Sequence, residues 1–463
     1  MTYQSFIKSK KIKNTQSGFE IDRDKIHPLL FDYQKDLVKW ALKIGRAALF
    51  TMTGTGKTLM QVEYARQVQI KTAGNVLILA PLAVSAQTIR EALKIGVTIN
   101  YAHNQAEVKP GITISNYERI ENFDPAYFSC IVMDESSILK SFDSSTRTIL
   151  TENFKHTPYK LACTATPAPN DFMELGNHAE FLNVMSRTEM LSMFFVHDGG
   201  DTSKWRLKGH AVDKFWEWCA SWAAILSKPS DLGYSDNGFI LPELRTHEIV
   251  TPSEAPEGML FAFEAQTLED RRLGRQSSFK GRVERCADIV NKSDGHFLVW
   301  CDLNIESEAL RRAIPGCVEV KGSDTQEHKE KSMLDFAAGK LKCLVSKPSI
   351  CGFGMNFQVC HKMAFVGLSD SFEQYFQAVR RCWRFGQKHH VDVYVITSEA
   401  EGAVVKNIKR KEREAMVMID SMVVHTKSFV MDNIKKAVKL DRTYLPGLEI
   451  TIPEWLKTEK GEY

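Results

Sequence analysis

AALFTMTGTGKTLM, residues 47–60, joins a short apolar run (Ala47–Phe50) to a helix-like run from Leu59 through Ala65 by way of a glycine-bearing turn. Such a turn between a strand and a helix lines up backbone N–H groups around an anion, with the positive end of the helix behind them. Gly54 and Gly56 let the backbone come close, because a side chain at either would strike the phosphates. Thr53 and Thr55 complete the cradle, Lys57 is placed to reach the β- and γ-phosphates, and the Thr58 hydroxyl to complete the coordination of Mg²⁺. Thr51 stands where the strict phosphate-loop pattern has Gly, so the assignment depends on partner motifs elsewhere.

The 463 residues suffice for two or three domains, each with its own core. Hydrophobic residues at 43% and charged residues at 25% are ordinary for a soluble globular protein. A net charge of +3 gives no bulk affinity for nucleic acid, so a local basic cleft has to supply it. Ten cysteines without a C-x-x-C pair argue for reduced thiols in a cytosol and against a disulfide frame or zinc site. No apolar run reaches membrane-spanning length, and the N-terminus (MTYQSFIKSKKIKNT) lacks the apolar core of a signal peptide. The expectation is a soluble, cytoplasmic protein with no membrane partner and no metal beyond the nucleotide's Mg²⁺.

Upstream of the turn, Leu29–Gln34 leads into an amphipathic helix through Leu37, Trp40 and Ala41. Gln34 carries the donor and acceptor needed to meet an adenine edge. Downstream, short apolar runs come regularly: Val76–Ala80 before Pro81, Ile112–Ile114 before Asn116 and Tyr117, Cys130–Met133 before Asp134 and Glu135, and Leu161–Cys163 before Thr164 and Thr166. Helical-length polar sequence separates them, which is the pattern of a parallel sheet with helices on both faces. Ligands of such folds sit at the carboxyl ends of the strands, where each of these polar clusters falls. One carboxylate after a buried strand can hold Mg²⁺, and the next can orient and deprotonate the water that attacks the γ-phosphate. Asp134 is placed for the first part and Glu135 for the second.

Residues 181–245 break the rhythm and hold four of the eight tryptophans (Trp205, Trp216, Trp218, Trp222); a small helical insertion with an aromatic core is favoured over a stacking platform for nucleic acid. A second series of apolar runs follows at 297–300, 318–320, 343–345, 363–366 and 391–396, with no phosphate loop of its own. It carries GFGMN (352–356) and QAVRRCWRFGQ (377–387). Arg381 and Arg384 are three apart and share a face if helical, two fixed positive forks suited to the charge on a transferring phosphoryl group.

In order along Leu29–Ile396, these motifs resemble those of the superfamily 2 helicases and translocases, in the Swi/Snf-like branch of the DEAD/DEAH-type enzymes: LFDYQ, TGTGKT, LAPLAV, ISNYE, VMDESS, CTATPAPND, GFGMN and the arginine motif ending in R-x-G-Q. The compactness is similar to that of phage-encoded or bacterial members. The resemblance implies an α/β fold of two tandem RecA-like lobes with parallel sheets, of the P-loop NTPase type, with ATP between them and nucleic acid, double-stranded DNA foremost, across both. By position it implies that Gln34 reads adenine, Arg384 is an arginine finger with Arg381 and Gln377 beside it, and Thr164 and Thr166 couple hydrolysis to lobe movement. It places Pro81, Asn116, Tyr117, Gly352 and Asn356 near the backbone of the bound strand. The chain departs from the family at Ser137, at Arg380 and at Ser349–Cys351.

The expected organisation is a polar segment over 1–22, an ATP-binding lobe over 23–180, the helical insertion over 181–245, a second lobe over 246–400 and a helical extension over 401–463. The expected activity is that of a nucleic-acid-stimulated ATPase translocating on DNA. The alternatives are a strand-separating or branch-remodelling helicase, and a nucleic-acid-binding scaffold with little turnover; protein partners are not legible.

Overall fold

The structure is a computed structural model that describes residues 18–140, 145–169, 171–198, 201–252, 278–351, 355–369 and 371–438. The first strands and helices alternate in sequence as β1 (Arg46–Thr51), β2 (Asn75–Leu79), β3 (Ile99–Tyr101), β4 (Ile112–Ser115), β5 (Phe128–Asp134) and β6 (Tyr159–Thr164), with helices α1 (Asp32–Ile44), α2 (Lys57–Thr72), α3 (Leu82–Lys94) and α4 (Ser145–Glu152). The strands are almost wholly buried, as strands covered by helices on both faces must be. They form a parallel sheet in the order β3-β4-β2-β5-β6-β1, with a further strand, β9 (Ala223–Leu226), paired in parallel on the outer side of β1. β6 therefore lies between β1 and β5, with Leu49 beside Cys163 and Cys163 beside Asp134. That register sets the phosphate loop, Thr164 and the Asp134–Glu135 pair side by side on one sheet edge.

The second sheet is also parallel, in the order β10-β15-β14-β11-β13-β12. Its strands are β10 (Leu244–Thr251), β11 (Phe297–Cys301), β12 (Cys317–Val320), β13 (Cys343–Ser346), β14 (Lys362–Val366) and β15 (Val391–Ser398). The chain is thus two α/β lobes with parallel sheets, the fold expected from the strand pattern. Within the two parallel sheets, the strands missed in the sequence are β3, β9 and β10. β3 is three residues long, β9 is the alanine-rich run AAIL, and β10 is a largely exposed edge strand whose polar alternation dilutes its apolar content.

Residues 181–245 are not purely helical. After α5 (Leu175–Phe181) and α6 (Arg187–Phe194) come an antiparallel pair, β7 (Phe195–Asp198) and β8 (Asp201–Leu207), then α7 (Val212–Ala220) and β9. Phe215, Trp216, Trp218 and Trp222 are buried in the apolar core, which is the packing role rather than a stacking platform. Trp205 is partly buried beside His197.

The helices of the second lobe are α8 (Phe279–Asn291), α9 (Asn304–Ala313), α10 (Gln326–Ala337), the single turn α11 (Pro348–Cys351) and α12 (Phe372–Val379), and the last helix is α13 (Gly402–Val438). α13 does not stop at the second lobe. Trp216 of α7 stacks on His425 with ring centroids 5.7 Å apart, and Val430 and Ile434 join the apolar cluster of α1 and α2.

Candidate nucleotide site between the lobes

The phosphate loop closes on itself before the start of α2. The Thr55 hydroxyl donates to the Met52 carbonyl at 2.7 Å and lies 2.7 Å from the Thr51 hydroxyl, so threonine takes part in the loop where the strict pattern has glycine. Gly54 and Gly56 have φ of 93° and 81°, left-handed values that favour glycine. Lys57 Nζ donates to the Thr51 carbonyl at 2.7 Å, which parks the ammonium at the mouth of the loop. Burial lowers its pKa, and Glu135 and Asp134 oppose that shift. The Thr53 hydroxyl is buried without a protein partner.

Gln34 sits in the first turn of α1. Its Oε1 accepts from the Phe31 N–H at 2.9 Å and its Nε2 donates to the Thr55 carbonyl at 2.8 Å. The Tyr33 hydroxyl reaches the same carbonyl at 2.7 Å. Gln34 thus caps its own helix and ties it to the phosphate loop, a structural duty that its sequence position did not reveal. A Cβ on Gly56 would collide with the Gln34 Nε2.

Asp134 ends β5 and is buried; its Oδ1 accepts from Gln61 Nε2 at 2.8 Å and from the Glu135 N–H at 3.1 Å. Burial, and then the neighbouring Glu135, push its carboxyl up to about 6. Glu135 has φ of 54°, a left-handed conformation that costs a non-glycine residue about 1–2 kcal/mol. Its Oε2 accepts from the Thr164 hydroxyl at 3.1 Å, and the same hydroxyl accepts from the Thr166 N–H at 3.1 Å. Of the two threonines expected to couple hydrolysis to movement, Thr164 is therefore joined directly to Glu135 and Thr166 through Thr164.

The second lobe contributes from across the cleft. α12 ends at Val379, and Arg381 and Arg384 lie in the turns that follow, not on a shared helical face. The turns are closed by backbone bonds from Cys382 and Trp383 to the Val379 carbonyl. Arg381 is buried and bonds the Gln377 carbonyl and side-chain oxygen, each at 3.0 Å. Burial lowers its pKa, while Glu135 and Asp134 of the first lobe raise it. Arg384 donates to the Asn356 side chain, and burial and then Arg381 bring it down to about 9. Arg384 Nε and Gln377 Nε2 are buried without a protein partner. The lobes also touch directly: Lys140 pairs with Glu373, and Phe385 Cδ2 and N lie 3.0 and 3.2 Å from where a Cβ on Gly54 would stand.

The model of the type III restriction enzyme res subunit matches residues 27–169, and that of the helicase conserved C-terminal domain matches residues 281–386. One falls on each lobe, and together they take in more than half of the chain. The chain belongs to the superfamily 2 helicases. As such it is an ATP-dependent nucleic-acid motor. No curated protein matches the sequence. Among solved structures, the SWI2/SNF2 ATPase core of Sulfolobus solfataricus in complex with dsDNA is similar at 16% identity and a TM-score of 0.42, over 92% of this chain and 100% of that one. That likeness is loose, and the family models carry the assignment.

Of the residues the helicase motifs placed along nucleic acid, Pro81 precedes α3 and is partly exposed. Tyr117 is 4% exposed, and its hydroxyl donates to the Asp134 carbonyl at 2.5 Å, so it buttresses the acidic strand. Asn116 is buried beside it, and Asn356 is engaged by Arg384. Gly352 lies outside the described residues.

Sequence reading missed Gln387. Its Nε2 donates to the carbonyls of Gln358 and Cys360, both at 3.0 Å, and its Oε1 accepts from the Lys388 N–H at 2.9 Å and the His389 N–H at 3.1 Å. One side chain thereby staples the arginine-bearing turn to the start of β14. The R-x-G-Q ending was its only trace in the sequence.

Thr58 and Asp134 fit Mg²⁺. One hydroxyl and one carboxylate suit a hard ion that keeps several waters and takes its other ligands from phosphates. Burial and the neighbouring Glu135 raise the Asp134 carboxyl, and a cation beside it would favour its charged form. No cluster of three or more His, Cys, Asp or Glu poised for a metal occurs among the described residues, and no described helix is long and apolar enough to cross a membrane.

Proposed function

We propose that the protein is a translocase of the Swi/Snf-like kind, hydrolysing ATP between its lobes to step along double-stranded DNA. The observation that supports this reading is the meeting of Lys57, Asp134 and Glu135 from one lobe with Arg381 and Arg384 from the other. Each lobe alone is incomplete: the first has loop and carboxylates, the second has arginines without a loop. The Arg384–Gln387 ending of the arginine motif favours the Swi/Snf-like branch.

In this reading the loop N–H groups and Lys57 bind the phosphates, while Gln34 keeps the loop against α1. Thr58 and Asp134 hold Mg²⁺, which when bound offsets phosphate charge. Glu135 orients the attacking water and takes its proton, and Arg384, steadied by Asn356, meets the charge that builds on the γ-phosphate, with Arg381 and Gln377 beside it. Thr164 senses the state of Glu135 and passes it to Thr166. Because Arg384 reaches the phosphate only when the lobes are closed, hydrolysis and release alternate with opening. Backbone contacts on each lobe carry no base code, so binding is sequence-independent and weakens with salt.

The test is displacement of a third strand from a duplex carrying a triplex block. ATP-dependent displacement without separation of the duplex, lost in Lys57→Ala, supports translocation. Unwinding of a forked duplex in place of displacement would favour the strand-separating alternative.

A further inference from the structure

The segment joining the two sheets, 233–243, is gripped along its length. At the first-lobe end the Tyr234 hydroxyl donates to the Asp36 carboxylate of α1, which also accepts from Arg23 Nε at 2.8 Å. At the other end Trp383 Nε1 donates to the Pro242 carbonyl at 2.7 Å, and the Val391 N–H to the Glu243 carbonyl at 2.9 Å. Between them stands Phe239, 9% exposed.

The Phe239 ring touches both sides of the cleft. Its centroid is 5.2 Å from Phe31 and 5.5 Å from Tyr33 on the first lobe, and 5.5 Å from Phe385 on the second, with interplanar angles of 78°, 87° and 70°. These edge-to-face contacts are the favoured geometry for aromatic pairs. Tyr33 holds the Thr55 carbonyl of the phosphate loop, and Phe385 directly follows Arg384. Phe385 is therefore held from two directions, by Phe239 of the joining segment and by the close approach to Gly54.

We infer that Phe239 is a positioning residue for Arg384, transmitting the placement of α1 and the phosphate loop to the arginine turn through Phe385. This rests on the proposed ATP hydrolysis between the lobes. Phe239 touches no reacting atom; it acts through Phe385. Removing its ring leaves Phe385 free to turn away from Gly54 and releases Arg384 from its register. The phosphate loop keeps its own bonds, so nucleotide affinity is retained.

The experiment uses the full chain, with steady-state ATP hydrolysis in the presence and absence of duplex DNA and calorimetric titration of ADP. In Phe239→Leu, which keeps apolar volume, kcat is expected to fall about tenfold, the scale of one lost aromatic pair. The ADP Kd is expected to stay within about twofold, because the binding loop is untouched. Phe239→Tyr, which keeps the ring, should restore kcat. Phe239→Leu combined with Phe385→Leu should be no slower than the slower single variant, because both remove one contact chain. Unchanged kcat in Phe239→Leu, a weakened ADP Kd with normal kcat, or additive losses in the double variant would overturn the assignment. Lys57→Ala separates the two layers: if it hydrolyses ATP like the wild type, the nucleotide reading itself is wrong, and this inference falls with it.

Discussion

His178 is buried under the acidic strand, with Nε2 3.1 Å from the Ser136 hydroxyl and its ring edge-on to Phe50. Burial brings its pKa down to about 4. In the unfolded chain histidine takes its proton near pH 6.5. Between those values the unfolded state binds the extra proton, so stability is fully present above about pH 6.5 and is lost as pH falls toward 4. His178→Gln keeps a donor for Ser136 without the titration. Denaturant unfolding at pH 7 and pH 4.5 should show the wild type losing about 2–3 kcal/mol more than the variant. An equal loss in both would contradict the assignment. At this scale the sequence was informative about which groups the fold brings together, as for Lys57, Asp134 and Glu135. It was silent where duty depends on a partner far away: the twofold use of Gln34, the turning inward of Tyr117 and the stapling by Gln387 all arise from contacts that the fold alone creates.

Among the elements, the start of α13 is fixed by a buried charge cluster. Arg282 of α8 pairs with Glu306 of α9 at 2.9 Å and with Glu401 at 3.4 Å, just before α13 begins. Glu306 also accepts from the Asp302 and Leu303 N–H groups, and Glu401 from the Ser398 N–H and hydroxyl. One guanidinium thus joins α8, the loop after β11 and the end of β15. Arg282→Ala would leave two buried carboxylates without their cation, at a cost of about 3–5 kcal/mol. Burial already raises the Glu306 carboxyl. A raised carboxyl is relieved by protonation, so the deficit of the variant should narrow as pH falls from 7 to 5, checked by thermal unfolding at both. A deficit that widened toward acid would contradict it. The apolar runs of the central strands announced both sheets, because strands covered on both faces must be apolar throughout. β10 escaped notice because an exposed edge needs no such run, and the arginine turn escaped because three-residue spacing fits turns as well as helices.

For the whole molecule, the proposed nucleotide site draws its residues from both lobes. Lys140–Glu373, Phe385 on Gly54 and the Phe239 ring bring the arginine turn to the phosphate loop, while α13 runs from the second lobe back to α1, α2 and α7. In the proposed reading, a ligand that grips both lobes, as DNA across them would, favours the closed state and so speeds hydrolysis. The most direct measurement is steady-state ATP hydrolysis with no polynucleotide, with single-stranded DNA, with duplex DNA and with RNA, using Glu135→Gln as the control. The account predicts stimulation by duplex DNA, reduced by added salt and abolished in Glu135→Gln while ATP still binds. Hydrolysis indifferent to every polynucleotide, or persisting undiminished in Glu135→Gln, would contradict it.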